Sequence, residues 1–264
     1  MSAEIVERVL RSSRYRDVDR SLLTRLADEE LPRARNADDA VKRVKRRLHQ
    51  AVGAFRGAAR SDAIAAAWSG DLADPAFRQA CTDALRAHAS TRERVAHIDG
   101  FYAGIWSLTG VPASIMDLGC GLNPLTLPWM DLAPDSSYLA SDVDRRPLAT
   151  VTSFLELIGQ THRVEVRNVI TGPPDDVADV ALLLKLITTL DRQDPDTATR
   201  LLRSLRARHA VLSFPRQSLV GRAKGMERAY RERLDRLVGD VPRVDAVAEA
   251  SVPNELVFVL TLDG

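Results

Sequence analysis

The chain has 264 residues, of which 45% are hydrophobic and 28% charged, and its net charge is +1 because 37 Lys and Arg residues nearly balance 36 Asp and Glu residues. This composition suits a folded globular protein, either one large domain or a catalytic domain of roughly 150–200 residues with an appendage. It excludes a polycation, so any binding of nucleic acid must depend on local basic patches.

The two cysteines, Cys81 and Cys120, do not form a Cys-x-x-Cys pair, so the sequence predicts neither a metal site nor a disulfide framework. Residues 1–17 are charged throughout and lack the apolar stretch of a signal peptide. No run approaches the roughly 18 apolar residues that a membrane span needs. We therefore expect a cytoplasmic protein that does not bind membranes.

Residues 1 to about 110 contain few glycines, and their apolar residues recur every three or four positions, which predicts a helical region. Residues 3–11 and 19–31 predict two short helices, and Asn36 or Asp38 can cap the next one. The apolar residues of this third helix form one stripe: Val41, Val44, Leu48, Val52 and Phe55. Its cations fall elsewhere on the helical wheel: Lys42, Lys45, Arg46, His49 and Arg56. We expect an amphipathic helix with a basic exposed side.

From about residue 113 onward, short apolar runs alternate with helical stretches. The runs span 114–120, 137–144, 164–169, 177–185 and 209–215, and helical stretches lie near 146–159 and 194–207. Strands that alternate with helices predict a parallel sheet. Two last runs, 241–250 and 255–262, flank a turn-forming Val-Pro-Asn segment and predict a closing hairpin with an antiparallel last strand.

A glycine-rich turn follows the first predicted strand, with the sequence DLGCGLNP from Asp117 to Pro124. Glycines in such a turn let the backbone approach a ligand where a side chain would collide. Asp142 stands 25 positions after Asp117, at the end of the next strand, where a carboxylate can accept hydrogen bonds from two ribose hydroxyls. The turn lacks the full Gly-x-Gly-x-x-Gly pattern of dinucleotide sites, so it suits a nucleoside without a pyrophosphate, such as S-adenosylmethionine. The alternative is a Rossmann-like domain whose first turn is merely tight.

The segment STRER, from Ser90 to Arg94, allows two interpretations. Ser90 can cap a helix with Glu93 at the third helical position, a capping box whose arginines are simply solvated. Alternatively, Arg94 lies in front of the sheet and pairs with the carboxylate in the amino-acid part of the cofactor.

Basic residues also follow the fourth and fifth predicted strands. The segment from Ser213 to Met226 contains glycines together with Arg222 and Lys224. A flexible basic loop at the carboxyl end of a parallel sheet can hold phosphates around a target nucleotide, and a solvated loop is the alternative. Lys185 ends the fourth strand, in Leu-Lys-Leu-Ile, where many methyltransferases carry a polar (Asp/Asn)-Pro-Pro-Tyr tetrad. That absence argues against an enzyme acting on the N6 amine of adenine.

DLGCGLNP, STRER, LLLK and the 213–226 segment together resemble the 16S rRNA (guanine-N7) methyltransferases that confer aminoglycoside resistance, over nearly the whole chain. The resemblance implies an α/β fold, a Rossmann-like class I S-adenosylmethionine-dependent methyltransferase with a helical N-terminal domain. Residues 1–75 would dock on the ribosome and residues 76–264 would form the methyltransferase domain. The implied activity is S-adenosylmethionine-dependent methylation of N7 of guanine 1405, in the decoding site of the 30S subunit, by a monomer.

The resemblance also implies residue roles. The cofactor pocket would include Phe55, His88, Ala89, Ser90, Arg94, Gly119, Asp142, Asn168, Val169, Leu184 and Gln193. RNA would be bound by Lys42, Lys45, Arg46, Lys185, Arg222 and Lys224. Lys185 would position the base, and no general base is expected because guanine N7 has no proton to lose. Asn168 stands where the family commonly has an acid, and its amide oxygen accepts a hydrogen bond more weakly than a carboxylate does.

Three alternative functions stay open from the sequence. One is methylation of adenine N1 in the same decoding region. A second is methylation of a small molecule, against which the basic helix around residues 41–56 argues. The third is RNA binding without catalysis on the same fold, against which the intact DLGCG motif and Asp142 argue.

Overall fold

The computed structural model describes residues 1–51, 61–172, 174–216 and 225–263. Helices occupy most of its first part: α1 (Ser2–Leu10), α2 (Arg20–Glu30), α3 (Ala37–Ala51), α4 (Ser61–Ala67), α5 (Pro75–Ala87), α6 (Ala89–Val95) and α7 (Ile98–Thr109), with a short 3₁₀ helix at Leu31–Arg33. The predicted helical region up to about residue 110 is confirmed for the described residues. No helix in these ranges is both long and apolar enough to cross a membrane.

Side-chain caps determine where α2 and α3 begin. Asp19 accepts a hydrogen bond from the backbone N of Leu22 at 3.1 Å. Asn36 Oδ1 accepts one from the backbone N of Asp39 at 2.9 Å. Such caps satisfy backbone donors that no helical carbonyl reaches. Of the two residues predicted to cap α3, Asn36 is the one that does so.

Helices α1 to α3, which we call the helical unit (residues 1–51), have an apolar core of their own. Val41, Val44 and Leu48 of α3 are buried in it. The predicted apolar stripe is therefore confirmed as far as Leu48, whereas Val52 and Phe55 lie outside the described residues.

The strands are β1 (Ser114–Leu118), β2 (Ser137–Asp142), β3 (Thr161–Val166), β4 (Ala178–Leu184), β5 (Ala207–Pro215), β6 (Val244–Ala250) and β7 (Glu255–Leu262). These seven strands of the described chain form one sheet in the order β3-β2-β1-β4-β5-β7-β6. Neighbouring strands are parallel except that β7 runs antiparallel to β5 and β6. The predicted parallel sheet with a closing hairpin is confirmed.

The third strand differs from its prediction, which was 164–169. It begins at Thr161 and ends at Val166, so Asn168 and Val169 lie beyond it. β3 is one of the two edge strands of the sheet, and its Thr161 and Arg163 side chains are exposed. Because one side of an edge strand faces solvent, its first residues lack the apolar character by which the other strands are recognised.

Apolar layers cover both faces of the sheet, as a parallel sheet requires. One layer includes Phe77 of α5 and Phe101 of α7, together with α8 (Arg145–Leu157). The other includes Leu202 of α10 (Thr197–Ser204) and Leu237 of α11 (Met226–Gly239), together with α9 (Leu186–Asp191). Ile64 of α4 belongs to the first layer. The domain boundary after residue 75 stays a prediction, and the packing of Ile64 favours a boundary between α3 and α4.

A short antiparallel bridge joins the helical unit to the sheet. Val18 pairs with Asp144, the backbone N of Asp19 donates to the carbonyl of Val143 at 2.8 Å, and the backbone N of Arg145 donates to the carbonyl of Asp17 at 2.9 Å. These bonds anchor the start of α2 beside the carboxyl end of β2.

Candidate functional site

A cavity of about 570 Å³ opens at the carboxyl ends of β1, β2 and β4. Ligands of open parallel sheets bind at this edge, where the strand order reverses. The lining includes eight of the residues predicted to contact the cofactor: His88, Ser90, Gly119, Asp142, Asn168, Val169, Leu184 and Gln193. The fold therefore brings together residues that come from six separate stretches of the chain. Their roles as ligand contacts stay predictions.

The turn after β1 needs its glycines for two reasons. Gly119 and Gly121 have φ angles of +66° and +52°, which L side chains rarely adopt. A Cβ atom on Gly119 would lie 2.9 Å from Cδ1 of Leu186, and one on Gly121 would lie 3.1 Å from Cε1 of His88. The turn therefore packs so closely against Leu186 and His88 that a side chain at either glycine would force these neighbours to move.

Asp142 is held at the cavity wall by backbone donors. Its Oδ2 accepts from the N of Gly121 and its Oδ1 accepts from the N of Asp144, both at 2.9 Å. Burial raises the pKa of Asp142 to about 6, although these two hydrogen bonds act in the opposite direction. Each carboxylate oxygen has a further lone pair, so Asp142 can still accept hydrogen bonds from ligand hydroxyls.

Asp117, the first residue of the DLGCG motif, has a structural role beneath the turn. Its Oδ2 accepts from Nδ2 of Asn123 at 2.9 Å and from the hydroxyl of Tyr138 at 2.7 Å. Burial raises the pKa of Asp117 to about 6 as well. Asp117 ties the turn to β2, whereas Asp142 faces the cavity.

Of the two interpretations of the STRER segment, the capping box at Ser90 is wrong. Helix α6 begins at Ala89, with His88 in the N-cap position and no side-chain cap. The Ser90 hydroxyl instead lies 2.7 Å from Nδ1 of His88. Burial lowers the pKa of His88 to about 4, so its imidazole is neutral at physiological pH. The two side chains form a polar, uncharged part of the cavity wall.

Lys185 is held rigidly at the end of β4. Its backbone has a φ of +57°, unusual for a residue with a side chain. Its Nζ donates to the carbonyl of Ser90 at 3.0 Å and to Oε2 of Glu93 at 2.8 Å, and it lies 3.5 Å from Oε1 of Glu255. Lys185 is only 8% exposed, yet it lines the cavity. The strained backbone and three oxygen contacts fix where its charge lies.

Arg94 lies behind the cavity rather than in its lining. Its Nε and Nη2 donate to the two carboxylate oxygens of Glu255 at 3.1 and 3.0 Å, and its Nη1 donates to Oδ1 of Asn123 at 2.6 Å. Its guanidinium also stacks on the ring of Phe101, 4.2 Å from the centroid. The predicted contact with the cofactor carboxylate therefore stays a prediction, and the contacts that the structure gives Arg94 are all within the protein.

Glu255 was missed in the sequence although it organises this region. It is the first residue of β7 and its side chain is fully buried. Burial alone would raise the pKa of Glu255, but the charges of Arg94 and Lys185 and a hydrogen bond from Ser213 hold it below its ordinary value. An acid that opens an otherwise apolar strand was a usable signal, since buried acids are nearly always paired.

The wall beyond β3 is mostly apolar and includes part of the helical unit. Val169 and Ile170 line it, and Oδ1 of Asn168 accepts from the backbone N of Ile170 at 3.2 Å. Nδ2 of Asn168 lies 3.4 Å from Oγ of Ser21. Leu22 of α2 also lines the cavity. Its apolar spacing marks Leu22 only as a core residue, so nothing in the sequence assigned it to a site.

Further lining residues were not singled out from the sequence: Val143, Asp144, Arg146, Pro147, Thr150, Arg167, Ile170, Leu186, Thr189 and Leu190. Half of them lie within two residues of a predicted site residue, and the other half lie on α8 and α9, the helices that follow β2 and β4. A position beside a strand end was the signal that could have identified the first half.

The remaining predicted residues are placed as follows. Ala89 is in α6 and, like Arg94, does not belong to the described cavity lining. Phe55, Arg222 and Lys224 lie outside the described residues. On α3, Lys42 and Arg46 are exposed and Lys45 is half-buried. Among the described residues, no group of three or more His, Cys, Asp or Glu side chains could hold a metal ion.

Comparison with known proteins agrees with this architecture. A family model described as FmrO, ribosomal RNA methyltransferase, matches residues 11–259. The 16S rRNA (guanine(1405)-N(7))-methyltransferase of Frankia casuarinae is 37% identical over 264 residues, which cover 96% of this chain and 91% of that protein. The protein of the same name from Micromonospora rosea is 34% identical and covers 97% and 95%, respectively.

A solved structure extends the similarity to the fold and the cofactor. The 16S rRNA methyltransferase RmtF, in complex with S-adenosyl-L-homocysteine, matches with a TM-score of 0.83 at 30% identity, covering 99% of this chain and 98% of that one. The predicted Rossmann-like class I methyltransferase fold with S-adenosylmethionine as its cofactor is confirmed. The chain belongs to the FmrO family of ribosomal RNA methyltransferases.

Proposed function

We propose that this protein transfers the methyl group of S-adenosylmethionine to N7 of guanine 1405 of 16S rRNA in the 30S decoding site, and thereby confers aminoglycoside resistance. The observation that carries the proposal is the built cavity at the strand ends, with the glycine turn and Asp142 at one side and Lys185 at the other. This cavity belongs to a chain whose relatives are named for this reaction.

The cavity suits the cofactor in size and chemistry. Its volume of about 570 Å³ lies within the ~300–1,000 Å³ typical of small-molecule sites. Asp142 offers acceptors for ribose hydroxyls, and the apolar wall of Leu22, Val169 and Ile170 suits the adenine ring. Gly119 also lines the cavity, where its backbone could approach the methionine part without an intervening side chain.

The chain needs to align the two reactants rather than move a proton. Bound S-adenosylmethionine supplies an electrophilic methyl group, and guanine N7 has an in-plane lone pair with no proton to lose. His88 is neutral, and Lys185 Nζ already donates to Ser90 and Glu93, which suits a positioning role. Catalysis would come from holding N7 in line with the methyl carbon at about 3 Å.

The helical unit would dock on the RNA through α3. Lys42, Lys45 and Arg46 are spaced three and four positions apart, so they share one face of the helix. Helix α11 is also rich in arginine, but its Arg231 and Arg233 are paired with acids. Lysine and arginine side chains on one exposed face can contact successive phosphates and position the enzyme without reading bases. A guanine inside a helix must also leave its stack to be methylated.

The test is methyl transfer from labelled S-adenosylmethionine to 30S subunits or to naked 16S rRNA, followed by mapping of the methyl group. A methyl on N7 of guanine 1405 in 30S subunits only is the expected result. A methyl on a nearby adenine N1 would keep the fold and the resistance role but change the target. No transfer to either RNA by a protein that still binds cofactor would overturn the RNA substrate and favour a small-molecule acceptor.

A further inference from the structure

The helical unit contributes to the cofactor cavity as well as presenting the basic face of α3. Leu22 lines the cavity and Ser21 contacts Asn168, both at the start of α2. The antiparallel bridge at Val18 holds this end of α2 against the loop after β2. The unit proposed to dock on RNA thus contributes Leu22 to the lining of the cavity and contacts a second lining residue, Asn168, through Ser21.

A second connection between the helical unit and the cavity converges on Gln193. This residue lines the cavity two positions after the end of α9. Nη2 of Arg25 on α2 donates to its side-chain Oε1 at 2.8 Å, and Nη2 of Arg47 on α3 donates to its backbone carbonyl at 3.0 Å. Two arginines from two helices therefore fix both the backbone and the side chain of one cavity residue.

These two arginines are neutralised within the protein. Glu29 pairs with Arg25 at 2.5 Å and with Arg47 at 2.6 Å, and Glu30 lies 3.2 Å from Arg47. The side chains of Arg25 and Arg47 are only 18% and 17% exposed. Their charges therefore stabilise the contact between the helical unit and Gln193. By contrast, Lys42 and Arg46 are exposed on the outer face of α3.

Helix α9 is consequently held at both ends. Lys185 directly precedes it and is fixed by Ser90 and Glu93, and Gln193 follows it and is fixed by Arg25 and Arg47. Since α9 lies along the cavity between these points, a shift of the helical unit would move Gln193 and with it this part of the cavity lining.

We infer that Arg25 and Arg47 are positioning residues for the cofactor, acting through Gln193, and that they couple RNA docking on α3 to cofactor binding; the coupling rests on the proposed function. RNA that holds the helical unit in place stabilises the wall that the cofactor needs, so each ligand tightens the binding of the other. Such coupling is reciprocal by thermodynamic necessity, and it needs no movement larger than the ordering of side chains.

The first experiment measures the affinity of the free protein for S-adenosylhomocysteine by calorimetry. Arg25→Ala is expected to weaken binding roughly fivefold, as the loss of a hydrogen bond to a charged group that acts indirectly. Arg25→Lys should restore part of the affinity. In a Gln193→Ala background, Arg25→Ala should have no further effect, because its partner atom is already gone.

The control is Arg43→Ala. Arg43 also lies on α3 and pairs with Glu30 at 2.7 Å, so its removal disturbs the helical unit similarly. It has no hydrogen bond to Gln193 among the described contacts. Unchanged affinity in Arg25→Ala, or an equal loss in Arg43→Ala, would overturn the positioning role. These measurements need no RNA, so they stand even if the proposed RNA substrate is wrong.

The second experiment measures the same affinity with and without saturating substrate, using 30S subunits or 16S rRNA, whichever accepts the methyl group. RNA should tighten binding of S-adenosylhomocysteine by at least about fivefold in the native protein. In Arg47→Ala, RNA should change the affinity little or not at all, whereas in Arg43→Ala it should tighten binding as much as in the native protein. If RNA does not change the affinity in the native protein, or tightens it equally in Arg47→Ala, the coupling is overturned. Neither result bears on the proposed methyl transfer.

Discussion

The two ends of the cofactor cavity are built in different ways. At the end with Asp142, a carboxylate and a glycine turn on neighbouring strands are joined by hydrogen bonds to backbone N–H groups. At the end with Lys185, side chains from separate parts of the chain form a buried ion network centred on Glu255, which is 161 positions from Arg94. The first end depends on local backbone geometry and the second on charges that must compensate one another. Substitutions should therefore reduce ligand binding most at the end with Asp142 and reduce stability most at the end with Lys185.

The largest effect is expected for Glu255→Gln. This change keeps the shape of the side chain but leaves Arg94 without its buried counter-charge and removes one from Lys185. Breaking a buried ion pair by removing one partner reduces stability by about 3–5 kcal/mol. Urea unfolding measures the loss. Glu249→Gln on the adjacent strand β6 is the control, because Glu249 pairs with Arg231 near the surface and should contribute less than about 1 kcal/mol. Equal effects would mean that burial does not make this network special.

Asp142→Ala should strongly weaken cofactor binding, and it also leaves the backbone N–H groups of Gly121 and Asp144 without their acceptor. Two hydrogen bonds from ribose hydroxyls to a carboxylate are together worth about 3 kcal/mol, so affinity for S-adenosylhomocysteine should fall at least about 100-fold. Calorimetry on the folded variant measures it. Asp135→Ala, at an exposed position just before β2, is the matched control. Normal binding by Asp142→Ala would show that the ribose lies elsewhere.

Gly121→Ala tests the backbone part of the same end. Alanine at a φ of +52° is strained by about 1–2 kcal/mol, and its Cβ atom would approach His88. We expect roughly that loss in the free energy of unfolding, and cofactor affinity about tenfold weaker because the turn must shift. Gly100→Ala in α7 should instead raise the free energy of unfolding, since nothing lies within 4 Å of a Cβ atom there and alanine favours helix. Tolerance of Gly121→Ala would contradict a rigid turn.

The smallest expected effect is a dependence on pH. Ionised Asp142 is the better acceptor, and its pKa is raised to about 6, so cofactor affinity is retained above that value and lost as the pH falls through it. Between pH 7.5 and 5.5, S-adenosylhomocysteine should bind roughly fourfold more weakly, because about a quarter of the carboxylates stay ionised half a unit below the pKa. Calorimetry at both pH values measures this. The dependence should vanish in Asp142→Asn, and its persistence there would point to Asp117 instead.

The end with Asp142 could be anticipated because its determinants are short-range. Strand, glycine turn, second strand and terminal acid follow one another from Ser114 to Asp142, and parallel neighbours β1 and β2 must place their carboxyl ends together. The basic face of α3 could be anticipated for the same reason, since helical periodicity alone separates Lys42 and Arg46 from the buried Val44.

The end with Lys185 could not be anticipated in the same way. The sequence offered either a capping box at Ser90 or a contact between Arg94 and the cofactor carboxylate, and neither interpretation indicated that Arg94 donates to Glu255 of the last strand. The contribution of α2 to the cavity could not be predicted either, because the same apolar spacing is expected whether a residue such as Leu22 packs in a core or lines a cavity.

The sequence by itself determined the class of fold, the methyltransferase family and the glycine turn with its acid, because these follow from periodicity and from motifs within a few dozen residues. Only the tertiary structure decided which charges neutralise one another and that the helical unit contributes Leu22 to the cavity. The physical reason is that a buried charge takes whichever opposite charge the fold brings within about 3 Å, and sequence spacing does not encode that distance.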